Sequence, residues 1–313
     1  MMLLLEFREV TKVFRQKLLK KGKLEAVKGV SLEIRTGEIF GLMGESGSGK
    51  STLGKIALGL MHPSSGEVLW EGKQWTSLSP KERLAVQGIS QNPYGVFNPR
   101  HKIGYSLAEP LDYHRLLNDK EEMSLRIKEM LELVNMDEDI LSKYPGQFSG
   151  GQLQRLAIAR VLLLNPNIIV ADEPTTMLDL TIQAQIMHLF KRIHEQKGVA
   201  VLLISHDLPV VAALAQRIGI MYGGRLVEIG STEEITNNAL HPYTRLFLAA
   251  AREESIPEPQ SRDSGADRGC ICCSICDQAV ELCRQKEPEL IRVAPEHEAA
   301  CHMVNFGGNG DRS

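Results

Sequence analysis

Apolar residues come first in short runs. LLLEFREVTKVF, GVSLEI and GEIFGLMG have the length and the β-branched or aromatic content of strands. A basic stretch between the first two, RQKLLKKGK, reads as a solvated hairpin tip. After GLMGESGSGKST the period changes: Leu53, Ile56, Ala57 and Leu60 are spaced i, i+3, i+4, i+7, which predicts an amphipathic helix. Between Asn92 and Gly146 the strand signal fades, and Ile127, Met130, Leu131 and Val134 lay a helical stripe through MSLRIKEMLELVN. This predicts a helical subdomain inserted into an α/β core. NIIVADE and VAVLLIS are nearly unbroken apolar runs of the kind buried on both faces in a parallel sheet. IGIMYGGRLVEIG places two apolar runs around Gly223-Gly224, a hairpin pattern. From Glu253 the composition turns to Pro, Ser, Asp and Gly in EESIPEPQSRDSGADRG, which reads as a linker.

Composition narrows the setting. The chain has 313 residues, a formal net charge of -3 and a pI near 6.3, so no global basic field favours nucleic acid, and none is expected as a partner. The opening MMLLLEFREV has no basic residue before its apolar run and carries Glu6 and Arg8, which suits a first strand better than a signal peptide. VAVLLI is far shorter than a membrane span, so a soluble cytoplasmic protein is expected. Five of the six cysteines lie in GCICCSICDQAVELC, Gly269 to Cys283. In a reducing compartment such a cluster points to a metal before it points to disulfides. Cys270, Cys273 and Cys276 make C-x₂-C-x₂-C, the start of a ferredoxin-like run, although Cys283 comes too late to close it, and zinc is the alternative.

The chemistry begins at Gly44-Glu45-Ser46-Gly47-Ser48-Gly49-Lys50-Ser51, followed by Thr52. It fits G-x-x-x-x-G-K-[ST] and stands after a strand, opening a helix. Glycines let consecutive backbone N–H groups turn inward around phosphates, and the helix N-terminus adds positive potential. Lys50 is then expected to reach the β- and γ-phosphates of ATP and Ser51 to ligate Mg²⁺. Ile168 to Glu173 is an apolar strand ending in two carboxylates; with a phosphate loop upstream, Asp172 is read as the Mg²⁺ ligand and Glu173 as the base that polarises water. A further motif, Phe148-Ser149-Gly150-Gly151-Gln152, precedes the helical run LQRLAIARVLL.

These three motifs, in this order, resemble the ATP-binding cassette (ABC) ATPases over residues 3 to 250. The resemblance implies a head-to-tail dimer with a second, identical or paralogous, ATPase subunit, two ATPs being held between the phosphate loop of one subunit and Ser149, Gly150, Gly151 and Gln152 of the other. Gln91 matches the Q-loop glutamine that contacts Mg²⁺ and water and relays nucleotide state to a membrane partner. His206, in LLISHD, matches the switch histidine at the γ-phosphate, and Asp179, in TTMLD where SALD is more usual, the D-loop aspartate. Phe14 is the candidate for stacking on adenine. Asn98-Pro99-Arg100 and His241-Pro242-Tyr243-Thr244-Arg245 look like the oligopeptide, dipeptide and nickel importers of that family.

In that subfamily a C-terminal extension carries four cysteines, matched by Cys270, Cys276, Cys283 and Cys301 and associated in some members with a [4Fe-4S] cluster. Cys272 and Cys273 are additional. The implied organisation is an ATPase domain over 1–252, with a helical subdomain at about 92–160, a linker over 253–269 and a cysteine-rich extension over 270–313. The implied role is ATP-driven import of peptides or a related small solute, on the inner face of the cell membrane. Its partners would be two permease subunits and an external solute-binding protein. A soluble ABC-type ATPase of a multi-subunit metabolic complex is the alternative.

Overall fold

A computed structural model describes residues 2–15, 23–252 and 269–306. Most of the basic stretch and the linker at 253–268 lie outside the described residues. The chain forms two compact units. One gathers Ile34–Ile39 and Leu69–Leu203 with the chain's first residues, and the other Glu6–Glu33, Phe40–Val68 and the chain from Ile204 onward.

In the first unit, Val86–Ile89 runs parallel to Ile168–Asp172, with Ala200–Ile204 on the other side of Ile168–Asp172. Ile168 to Ala171 and all of Ala200–Ile204 are buried, which is why both segments read as unbroken apolar runs. The chain between the first two of these strands supplies the helices Ile103–Tyr113, Lys120–Leu133 and Gly150–Leu162. The expected stripe holds: Ile127, Met130, Leu131 and Val134 are all buried.

The second unit holds most of the long strands Leu3–Arg15 and Lys23–Arg35, with Leu3–Arg15 lying between Lys23–Arg35 and Ser65–Trp70. Val30, Leu32 and Ile34 are buried and alternate with exposed Ser31 and Glu33, the period-two pattern of a sheet with one wet face. Its other sheet segment runs from Ile39–Met43, parallel to Arg217–Tyr222, through Arg225–Ser231. The C-terminal segment then adds two strands: His297–Ala299 pairs antiparallel with Arg225–Ser231, and Ile291–Ala294 with His297–Ala299. The Gly223-Gly224 pair turns the expected hairpin. The helix after the glycine loop is shorter than its apolar spacing predicts: it spans Lys50–Ala57, Gly59 takes a φ of 65°, and Leu60 is 75% exposed. Among the described residues no helix is long and apolar enough to cross a membrane.

One buried carboxylate ties this unit's late elements together. Glu228, fully buried on Arg225–Ser231, accepts the backbone N–H groups of Leu240 (2.7 Å) and His241 (3.0 Å), and His297 Nε2 lies 2.7 Å away. Without these partners its desolvation would cost several kcal/mol, on the order of 3. His241 in turn caps the helix Pro242–Ala251, its Nδ1 accepting the N–H of Tyr243 at 3.1 Å. Burial pushes the His241 imidazole down to about 4, which keeps it neutral and able to accept.

A histidine held below its unfolded value contributes stability that is complete above the unfolded pKa and is lost as pH falls toward the folded one. Between pH 6.5 and 4, His241 is therefore expected to remove about 2–3 kcal/mol. His241→Asn keeps a capping acceptor and cannot titrate. Urea unfolding at pH 7.5 and 4.5 should show a steeper loss in the parent than in this variant.

Candidate active site

The phosphate loop leaves a fully buried strand, Ile39–Met43, and enters Lys50–Ala57. Gly44, Gly47 and Gly49 have φ of 145°, 82° and 104°, a backbone that L side chains rarely adopt. A Cβ on Gly44 would stand 2.1 Å from the carbonyl oxygen of Met221, and one on Gly49 2.2 Å from that of Ala26, whereas Gly47 faces open space. The helix start has no side-chain cap and no acid in its first turn, so its N–H groups and positive potential stay available to an anion. Lys50 is buried and folds back over the loop, donating to the carbonyls of Gly44 and Glu45 at 2.7 Å each and to Ser48 Oγ at 3.2 Å. Ser46 is exposed on the same loop, with Ser51 and Thr52 in the first turn beyond it.

The loop is braced from behind by the Gly223-Gly224 hairpin. The N–H of Gly224 donates to the carbonyl of Ser48 at 3.0 Å, and its own carbonyl accepts from Lys28 N–H at 2.8 Å. On the same unit, Ser205 N–H donates to the carbonyl of Leu42 in the strand that feeds the loop. His206 follows, exposed, and Asp207 caps the next helix by accepting Val210 N–H at 3.2 Å. His206 is thus carried on the frame that carries the glycine loop. Phe14, near the end of Leu3–Arg15, is half-buried with the Lys12 ammonium 5.6 Å from its ring centroid.

The first unit carries the remaining expected residues. Asp172 and Glu173 are half-buried at the end of the strand Ile168–Asp172. Glu173 has a φ of 47° and accepts the hydroxyl of Thr176 at 2.9 Å. Asp179 caps Leu180–Lys197 by accepting Ile182 N–H at 3.0 Å. Ser149 and Gln152 form a reciprocal capping box at the start of Gly150–Leu162. Gly151 is required by packing, since a Cβ there would meet Ile182 Cγ2 at 2.4 Å. A Cβ on Gly150 would lie 3.5 Å from the Tyr94 hydroxyl and 3.4 Å from Leu178. The turn after exposed Gln91, the signature turn and the segment before Asp179 therefore adjoin.

The cysteine segment reaches the loop's brace. Ile271 covers Gly223 so closely that a Cβ there would stand 2.4 Å from Ile271 Cδ1. Ile271 N–H donates to Glu287 at 3.4 Å, and Glu287 lies 3.6 Å from the Arg225 guanidinium. Cys270 N–H donates to the carbonyl of Cys283 at 2.7 Å. A side-chain hydrogen bond between Cys270 and Cys272 holds the Cys270 thiol below its usual range and the Cys272 thiol above it. Burial, aided by Cys301, Asp277 and Cys270, pushes Cys276 up to about 11, and burial with Cys270 and Cys283 raises Cys301. The four family cysteines are neighbours. Among the described residues, however, no group of three or more His, Cys, Asp or Glu side chains is gathered closely enough to hold one metal ion. The expectation of a metal on Cys270, Cys276, Cys283 and Cys301, as an iron–sulfur cluster or as zinc, therefore finds no support in the arrangement of these side chains.

Sequence reasoning passed over three features. The brace on the phosphate loop and the Glu228 clamp are contacts distant along the chain, with no local signature. The Ser149–Gln152 box does have one, S-x-x-Q ahead of an apolar run.

A glycine loop aimed at phosphate, two carboxylates closing a buried strand and a capped SGGQ helix define a nucleotide-hydrolysing cassette. Residues 27–176 match the ABC transporter family, and the chain belongs to that family. Within it, the chain groups with the ATP-binding proteins of oligopeptide transport. It is 40% identical over 291 residues to the oligopeptide transport ATP-binding protein OppF of Bacillus subtilis (strain 168), covering 91% of this chain and 93% of that one. It is 35% identical over 327 residues to AppF, another oligopeptide transport ATP-binding protein of that organism, covering 96% and 98%. Among solved structures it is similar to the ATP-binding cassette MJ0796, a dimer in a post-hydrolysis state bound to ADP and Pi. The TM-score there is 0.65 at 32% identity, covering 73% of this chain and 98% of that one.

The contrast between the loop glycines sets a test. Gly44→Ala and Gly49→Ala drive a methyl group into backbone carbonyls and are expected to lower affinity for a fluorescent ATP analogue at least about tenfold. Gly47→Ala, which meets only conformational strain, should lower it less.

Proposed function

We propose that this protein is the ATP-hydrolysing subunit of an importer for peptides or a related small solute, working beneath two permease subunits with a second ATPase subunit as partner. An external solute-binding protein would deliver the solute. The observation that carries the reading is the phosphate loop held open by Gly44 and Gly49 and closed by Lys50, on a chain whose relatives are named for oligopeptide transport. Those names favour import over a soluble metabolic complex. The work site is the cytoplasmic face of the membrane. The ATPase domain spans 1–252, joined through 253–269 to the cysteine-rich extension at 270–313.

In the proposed reaction water attacks the γ-phosphate in line with the departing ADP oxygen. Lys50 and the loop amides from Gly44 to Thr52 stabilise the negative charge, and Ser51, Asp172 and Gln91 hold Mg²⁺. Glu173 takes the proton from the water, and His206 contacts the γ-phosphate. Ser149, Gly150, Gly151, Gln152 and Asp179 serve the nucleotide of the partner subunit, and Phe14 stacks on adenine. The uncapped helix start supports the phosphate end of this scheme.

Glu173→Gln keeps the side chain's size and removes its basicity. Turnover in the assembled complex is expected to fall about 10²–10⁴-fold while Mg-ATP still binds and locks a dimer. Hydrolysis at the parental rate would remove Glu173 from the role of base.

The cysteine extension is assigned an iron–sulfur cluster on Cys270, Cys276, Cys283 and Cys301. Support for the assignment is the match of these four cysteines to the subfamily's pattern and their partial or full burial. Bound there the cluster would staple a segment with little core of its own. Protein purified without oxygen should carry iron and acid-labile sulfide, both lost on serine substitution at Cys283 or Cys301. Stoichiometric zinc without sulfide would reject the cluster, and loss at Cys273 but not at Cys301 would move it to the ferredoxin-like set.

A further inference from the structure

The first unit contains a cavity of about 610 Å³ bordered by the signature helix Gly150–Leu162, the helix Leu180–Lys197 and the turn after Lys120–Leu133. That volume lies within the range of small-molecule sites, roughly 300–1,000 Å³. Arg155 and Arg192 both line it, with Asn135, Gln152, Gln185 and His188, and no carboxylate stands among its described lining residues. Glu129 and Glu132 line a separate, neighbouring cavity that Arg192 also borders.

The two guanidiniums are positioned by neutral acceptors. Arg155 donates to the carbonyl of Val134 at 2.9 Å and to Gln185 Oε1 at 2.8 Å. Arg192 donates to Asn135 Oδ1 at 3.1 Å and to the carbonyl of Leu133, and its Nε is buried with no partner. Their charges oppose each other: burial first, then Arg192, lowers the Arg155 guanidinium below its ordinary value. Two fixed cations in one cavity, with no carboxylate among its described lining residues and with an unused N–H, are an arrangement that an oxyanion relieves. Met136 and Leu189 add an apolar wall.

We infer that this cavity is a binding site for a small phosphate ester, its phosphoryl group between Arg155 and Arg192 and its organic part against Met136 and Leu189. Arg192 is the specificity-determining cation, and Gln152, which caps the signature helix from the cavity's border, is the link to nucleotide turnover. That link rests on the function proposed above; the binding itself does not.

The test separates the two. In the full-length Lys50→Ala protein, where the phosphate loop is disabled, pyrophosphate and a hexose phosphate are titrated by calorimetry. Both should bind, the ester more tightly, and adding Arg192→Gln should weaken each at least tenfold, with Arg192→Lys intermediate. Thermal unfolding supplies a readout that folding damage would not mimic. Without anion, Arg192→Gln should raise the melting temperature by removing the like charge; with pyrophosphate, the Arg192-containing protein should gain stability and the variant should not. No binding in the Lys50→Ala background, or equal binding with and without Arg192, would overturn the site. Inorganic anion bound as tightly as the ester would overturn the assignment to an ester. If binding holds but the ester leaves ATPase turnover of the parent unchanged, the link through Gln152 fails while the site stands.

Discussion

The phosphate loop depends on a shortage of space. Gly44 and Gly49 pass so close to the carbonyls of Met221 and Ala26 that no Cβ fits, and both take positive φ. Those approaches hold the loop where its backbone N–H groups can converge, and Lys50 closes it from within through the Gly44 and Glu45 carbonyls. A lysine ammonium held by three oxygens contributes charge at a defined place and loses little freedom when a phosphate arrives. The surrounding elements serve this packing: Ile39–Met43 is buried along its whole length, and the Gly223-Gly224 turn is hydrogen-bonded to Ser48.

That brace changes the meaning of the cysteine segment. Ile271 lies on Gly223, and Glu287 joins Ile271 N–H to Arg225 one residue past the turn. Two later strands, His297–Ala299 and Ile291–Ala294, continue the sheet beyond Arg225–Ser231. The extension is therefore packed on the back of the hairpin whose front holds the phosphate loop. Ile271, between Cys270 and Cys272, is the residue by which the extension packs on that turn.

What was legible in the sequence was local. Unbroken apolar strands such as Ile168–Asp172, the period switch at Lys50 and the Gly223-Gly224 turn announce themselves because backbone geometry dictates their residue types. Apolar spacing alone overextended the helix to Leu60, because it does not register that Gly59 turns the chain out of it. Contacts between distant segments left no trace. Glu228 looks like any strand glutamate until Leu240, His241 and His297 fold around it. Arg155 and Arg192 look like ordinary helix-surface cations until two helices bring them to one cavity. The cysteines were legible as a group, and their failure to converge on one point was not.

The two carboxylates at the end of Ile168–Asp172 show how backbone and chemistry meet. Asp172 continues the strand, so its direction follows from the sheet. Glu173 cannot continue it: at φ 47° it adopts a conformation that costs a non-glycine residue about 1–2 kcal/mol. A glycine would sit there more comfortably and would carry no carboxylate. The chain keeps the strained glutamate and fixes it with the Thr176 hydroxyl. The chain thus leaves the sheet at Glu173, and the left-handed conformation there is held by a hydrogen bond from the residue three further on.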